Sequence, residues 1–185
     1  ILESERTKYG APDDRNHITP NDLELFISGL NLPFDLRTYQ FGCVGEALTR
    51  KRAILLSPTG SGKSLIIYAI ARYWLARLTD GLSYPKKGRV LVIVPTTSLV
   101  EQMHSDFLKY GWDEGAMHRI YSGKDKVIEN AACVITTWQS VYKLPKQWFE
   151  QFGAVFGDEC HGFKSKSLMN IMNKCTEAEY RFGTT

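Results

Sequence analysis

"SPTGSGKS", residues 57–64, follows directly on the apolar run Ala53-Ile54-Leu55-Leu56. Gly62, Lys63 and Ser64 stand where the phosphate-loop pattern GxxxxGK[ST] requires them, while Ser57 occupies the place of that pattern's first glycine. A phosphate cradle needs four parts. These are a strand that ends abruptly, a loop whose backbone N–H groups converge on an anion, a lysine that reaches the outer phosphates, and a hydroxyl for a metal at the start of a helix. Each has a candidate here. Gly60 and Gly62 permit close backbone approach, Lys63 supplies the charge, Ser64 the hydroxyl, and a helix opening at Ser64 turns its positive end to the loop. The alternative is a glycine-rich turn ahead of an ordinary helix.

Working outward, apolar runs rich in β-branched residues alternate with longer amphipathic stretches. Strands are expected at 53–56, 90–94, 119–121, 133–135, 154–156 and 180–184, and helices at 64–78, 97–109 and 165–175. This rhythm predicts an α/β domain with a mostly parallel sheet, helices on both faces, and ligands at the carboxyl ends of the strands. Residues 1–35 differ. "ERTKYGAPDDRN" (5–16) is polar and turn-rich, and Thr19-Pro20-Asn21-Asp22 caps a short helix reaching about residue 30. We therefore divide the chain into a linker with a short helix (1–35) and a nucleotide-binding domain (36–185).

The 185 residues, 43% hydrophobic and 12% aromatic, suffice for one well-buried domain. A net charge of +3 neither requires nor excludes nucleic acid. Cys43, Cys133, Cys160 and Cys175 form no CxxC pair, which favours reduced thiols in a cytoplasmic setting over a disulfide frame or zinc site. There is no apolar run of about 18 residues and no signal-peptide pattern, so neither membrane insertion nor secretion is expected.

A second motif decides the kind of site. "AVFGDECH" (154–161) places Asp158 and Glu159 at the end of an apolar run. One carboxylate can hold magnesium, directly or through water, and the other can orient and deprotonate an attacking water. Asp158 and Glu159 fit those roles in that order, against the plainer reading of a turn after a strand.

Together these motifs resemble the first RecA-like motor domain of a superfamily 2 DExH-box helicase. That family's phosphate loop has the form [AS]xTGxGK[ST], which Ser57 matches, and "DECH" is similar to its DExH box. "PTTSLVEQ" (95–102) fits the element called motif Ia, "RTYQ" (37–40) the upstream glutamine motif, and "TTWQS" (136–140) an element that touches the nucleic-acid strand. Within the superfamily, the DECH spelling, "WQS" after a threonine pair and "QWFEQFG" (147–153) are similar to bacteriophage helicases of recombination and replication restart.

The resemblance implies ATP and Mg2+ as cofactors. It assigns Lys63, Asp158, Glu159 and His161 to catalysis and coupling, Ser64 and Asp158 to magnesium, and Arg37, Gln40, Thr59, Gly60, Ser61, Gly62, Lys63 and Ser64 to the nucleotide. Gln40 can pair with the adenine edge because its amide both donates and accepts, or it is simply a surface glutamine on a helix. Pro95, Thr96, Ser98, Thr137 and Gln139 are assigned to strand phosphates, contacts that carry no base information. For Thr96 and Ser98 the alternative is plain helix capping. Thr137 is expected in a loop after a strand ending at Ile135, and Trp138 either stacks on a base or packs internally. His161 has little support as a metal ligand, since His17, His104 and His118 show no partner spacing. Arg50-Lys51-Arg52 and Lys86-Lys87-Gly88-Arg89 are expected to be solvated faces.

The implied activity is that of an ATP-dependent DNA helicase or translocase acting on single-stranded or branched DNA in recombination, repair or replication restart. The expected state is a monomer in the cytoplasm, a host's if the source is a phage. The family's motif III is just beginning at Thr185 and the second RecA-like domain is absent, so an incomplete motor is expected. Alternatives are an RNA helicase or restriction-enzyme translocase, a P-loop kinase, and a module that binds nucleic acid without catalysis.

Overall fold

The computed structural model describes residues 18–56, 60–78, 88–121, 126–158 and 165–185. Through these the chain runs α1 (Pro20–Gly29), α2 (Thr38–Arg50), β1 (Arg52–Leu55), α3 (Lys63–Leu78), β2 (Arg89–Val94) and α4 (Thr97–Lys109). A 3-10 turn, Glu114–Ala116, leads to β3 (Met117–Ile120), β4 (Cys133–Thr137), the short helices α5 (Trp138–Val141) and α6 (Lys146–Phe149), β5 (Phe152–Gly157), α7 (Ser165–Lys174) and β6 (Tyr180–Thr184).

The side-chain period of two along β2 sets the layers. Val90, Val92 and Val94 join one core with α1 to α4, whereas Leu91 and Ile93 join a second core with α5 to α7. A strand buried on both faces reads as a continuous apolar run, and a parallel sheet under two helical layers produces one. The six strands are ordered β1-β6-β5-β2-β4-β3 and every pairing is parallel. All carboxyl ends therefore lie on one rim. Leu55 is in register with Thr184, Gly183 with Gly157, and Val94 with Thr137.

The expected strands are all present, with ends shifted by one or two residues where backbone pairing outruns the apolar run; β4, for example, continues through Thr136 and Thr137. The helix from Thr38 to Arg50 is expected only in the alternative reading of Gln40 as a helical residue. Its buried side, Gln40, Val44, Ala47 and Leu48, packs under α3. The α1 helix begins as expected, with Thr19 accepting a hydrogen bond from Asp22 N–H at 3.2 Å. It is no detached linker, because Leu23 is buried in the main core and Phe26 meets Tyr73 edge-on at 5.1 Å. Lys86 and Lys87 of the basic runs lie outside the described residues, but Lys51 and Arg89 are not merely solvated. Lys51 pairs with Glu179 at 2.8 Å, and Arg89 donates to the Glu129 carbonyl at 2.9 Å.

Cys43, Cys133 and Cys175 are free thiols. Burial pushes the Cys175 thiol up to about 12, so it stays protonated at neutral pH. Among the described residues, no helix is long and apolar enough to cross a membrane.

Candidate functional site

The rim formed by the ends of β1, β6 and β5 carries the first group of predicted residues. Gly60 and Gly62 have φ of +80° and +77°, the left-handed region that glycine enters without steric cost. The first turn of α3 closes on the Gly62 carbonyl, which accepts from Leu65 N–H at 3.0 Å. Lys63 and Ser64 therefore sit at the amino end of a 16-residue helix, where the helix dipole is positive.

The loop is braced from α2. The Gln40 amide oxygen accepts from Arg37 N–H at 2.8 Å, and its nitrogen donates to the Ser61 carbonyl at 2.9 Å. Tyr39 donates its hydroxyl to the same carbonyl. Gln40 is only 4% exposed, so it is not a surface glutamine. Its amide makes these bonds within the protein, with one lone pair and one N–H left over by stoichiometry. The brace is close-fitting: a Cβ on Gly62 would lie 2.4 Å from the Gln40 side-chain nitrogen.

Beside this loop is a pocket of about 340 Å³ lined by Phe34, Arg37, Gln40, Gly60, Gly62 and Tyr110, among others. Phe34 meets Tyr110 edge-on at 5.7 Å. The Ser64 hydroxyl is 2.9 Å from the Tyr110 hydroxyl. Burial raises the Tyr110 phenol above its ordinary range, with the Ser64 bond pulling the other way, so the ring carries no charge near neutral pH.

Asp158 stands on the same rim, two strands from β1. It is 6% exposed, its N–H bonds to the Ile93 carbonyl at 2.8 Å, and its carboxylate accepts from the hydroxyl of Thr184 on the intervening β6. Ser64 and Asp158 bring a hydroxyl and a carboxylate, the hard oxygen donors that suit magnesium. Glu159, His161 and Thr59 lie outside the described residues.

The second group lies further along the rim, where β2 and β4 are paired. Thr96 caps α4, accepting from Leu99 N–H at 3.4 Å, and its hydroxyl is 2.9 Å from that of Ser98. Both are exposed. Gln139 is also exposed and donates to the Pro95 carbonyl at 3.4 Å, which ties motif Ia to "TTWQS". Thr137 departs from expectation. It is the last residue of β4, buried, with its hydroxyl 2.8 Å from that of Ser140, because the strand runs on past Ile135 into α5. Trp138 packs against the second core and meets Tyr142 at 5.7 Å, so it is an internal contact.

Phe34, Tyr39, Tyr110 and Thr184 are absent from the sequence-predicted site. An aromatic residue three positions before "RTYQ" and one inside it were a usable signal for the first two. Nothing local marks Tyr110, which reaches Ser64 across 46 positions of chain.

Residues 33–185 match the family described as "Type III restriction enzyme, res subunit". The chain is 36% identical over 180 residues to the ATP-dependent DNA helicase uvsW of Enterobacteria phage T4, covering 92% of this chain and 34% of that protein. It is 28% identical over 182 residues to the DNA 3'-5' translocase XPB2 of Sulfurisphaera tokodaii, covering 94% of this chain and 37% of that protein. The crystal structure of the UvsW helicase from bacteriophage T4 superposes with a TM-score of 0.81 at 32% identity, over 99% of this chain and 68% of that one. The expected RecA-like α/β fold and the narrower likeness to a bacteriophage helicase are both met by these similarities. The chain spans about a third of the length of these two curated relatives.

Proposed function

We propose, from the premise that this chain belongs to the Type III restriction enzyme, res subunit family, that it is the ATP-binding half of a DNA helicase or translocase acting on branched DNA in recombination, repair or replication restart. The observation that carries the reading is the placing of the α3 amino terminus and Asp158 on one rim, separated only by β6 and its Thr184. A phosphate loop with a carboxylate across from it is the arrangement that phosphoryl transfer uses, since catalysis there is mostly positioning and electrostatics. The names of the T4 and Sulfurisphaera tokodaii relatives, a DNA helicase and a DNA translocase, support DNA over RNA.

In this reading the backbone N–H groups at Gly60 to Ser64 and the α3 dipole hold the phosphates, and Lys63 neutralises the outer ones. Ser64 and Asp158 are the residues that would hold magnesium, which when bound offsets charge on the phosphates. Thr184 fixes the Asp158 carboxylate, and Glu159 takes the proton of the attacking water. Arg37 and the remaining bonding capacity of Gln40 serve the adenine, and His161 links the site to a second RecA-like domain closing over residues 36–185. Pro95, Thr96, Ser98 and Gln139 face strand phosphates, with Thr137 holding the turn that presents Gln139. The working state is a monomer in the cytoplasm, with DNA as the partner. A restriction-enzyme translocase shares every part of this site and is favoured by the description of the matching family alone.

Lys63→Ala in the full-length protein is expected to abolish DNA-stimulated ATPase while leaving the fold intact. Glu159→Gln should keep nucleotide binding and lose hydrolysis. Wild-type turnover in Lys63→Ala, measured by steady-state phosphate release, would sink the reading.

A further inference from the structure

The Ser64 hydroxyl has a neighbour outside every motif. Tyr110 is the carboxyl-terminal cap of α4, the helix that Thr96 caps at its start, and its hydroxyl oxygen is 2.9 Å from Ser64 Oγ. The tyrosine is 8% exposed and held from three sides. Tyr68 donates to its backbone carbonyl at 2.7 Å, the Tyr68 ring meets it at 5.3 Å and 76°, and Phe34 closes the pocket side. Its hydroxyl is therefore a fixed point, while a serine hydroxyl on its own rotates about one bond.

We infer that Tyr110 is a positioning residue for magnesium at this site, its hydroxyl oxygen accepting a hydrogen bond from the Ser64 hydroxyl so that the lone pairs of Ser64 Oγ turn away from Tyr110 and toward the cation. This rests on the nucleotide reading above. A hydroxyl that gives a lone pair to a cation cannot aim its hydrogen at the same place. That hydrogen needs an acceptor, and in this fold the Tyr110 oxygen is within hydrogen-bond distance to serve. Orienting a ligand from behind in this way is the usual task of groups just outside a metal's own ligands. The bond also crosses between elements, from the helix of the phosphate loop to the helix of motif Ia, so Ser64 is not left to set its own rotamer.

Tyr110→Phe removes one oxygen and keeps the ring that Phe34 and Tyr68 pack against. The experiment titrates magnesium chloride against the full-length protein at a fixed concentration of a fluorescent ADP analogue, with a parallel series in EDTA. The magnesium midpoint is expected to rise about three- to tenfold, the range one ordinary hydrogen bond carries, while affinity in EDTA stays unchanged. In the Ser64→Ala background the same substitution should shift the midpoint no further, because the two hydroxyls act as one unit. An unchanged or lowered midpoint, an equal loss in EDTA, or an additive effect in the Ser64→Ala background would each overturn the inference. Failure of the underlying reading looks different, since the wild type would then bind no adenine nucleotide in either series. Thermal unfolding of the ligand-free variants establishes that each is folded.

Discussion

Gly60→Ala and Gly62→Ala form a matched pair that isolates the brace between α2 and the phosphate loop. Both glycines have φ near +80°, so an alanine at either place meets the same left-handed strain, about 1–2 kcal/mol. They differ in what the new Cβ meets. At Gly60 nothing lies within 4 Å, whereas at Gly62 the Gln40 side-chain nitrogen would be 2.4 Å away. Gln40 must then withdraw, which breaks its 2.9 Å bond to the Ser61 carbonyl and leaves a buried amide unsatisfied, a further cost of about 1–3 kcal/mol. Gly62→Ala is thus expected to lose about 2–5 kcal/mol of unfolding free energy and Gly60→Ala about 1–2, by urea denaturation followed by circular dichroism. Gln40→Ala combined with Gly62→Ala should cost less than the sum of the two, with a coupling of at least about 1 kcal/mol. Equal losses for the two glycines, or strict additivity in the double variant, would refute the reasoning.

Gly153→Ala tests packing far from the site. The Cβ would stand 2.2 Å from Trp74 Cζ2 and 2.9 Å from the Gly88 backbone, and Trp74 cannot swing away without losing its 2.6 Å bond to the Gly88 carbonyl. A loss of about 1–3 kcal/mol should lower the calorimetric Tm by several degrees; an unchanged Tm contradicts this. On the strand side, Ser98→Ala together with Gln139→Ala is expected to weaken single-stranded DNA binding severalfold and by the same factor for different base sequences. A loss confined to one sequence in fluorescence anisotropy would mean that these groups read bases.

The parts of the fold that were legible in sequence are those in which one stretch of chain states its own environment. Val90-Leu91-Val92-Ile93-Val94 is apolar at every position because both faces are covered, and that announces a central strand of a helix-covered sheet. The α4 helix carries enough apolar periodicity to be placed within a residue, and α3, buried on nearly all sides, is placed as closely by the phosphate-loop motif at its start. The α2 helix was harder, because its buried side includes Gln40, a polar residue that the apolar pattern counts as exposed. Its burial is paid for by Arg37 N–H and the Ser61 carbonyl, 21 positions downstream.

The same distinction divides the site. A phosphate loop is legible because its work is done by backbone and by residues at fixed spacing, so Gly60, Gly62, Lys63 and Ser64 identify one another. Thr184 and Tyr110 act through one hydroxyl each on partners 26 and 46 positions away, and only the parallel register and the packing of α4 bring them there. Spacing in sequence cannot encode such a meeting, but the rim can. With all six strands parallel, every residue that follows a strand end arrives on the same side. The order β1-β6-β5-β2-β4 then sets the phosphate loop, Thr184, Asp158, motif Ia and "TTWQS" side by side in that sequence. Asp158 and motif Ia are joined directly, since Asp158 N–H bonds the carbonyl of Ile93, two residues before Pro95, whose own carbonyl holds Gln139. On the proposed reading, a nucleotide site and a strand site stand on neighbouring strand ends joined by these hydrogen bonds, so neither can shift its outermost strand end without straining the other.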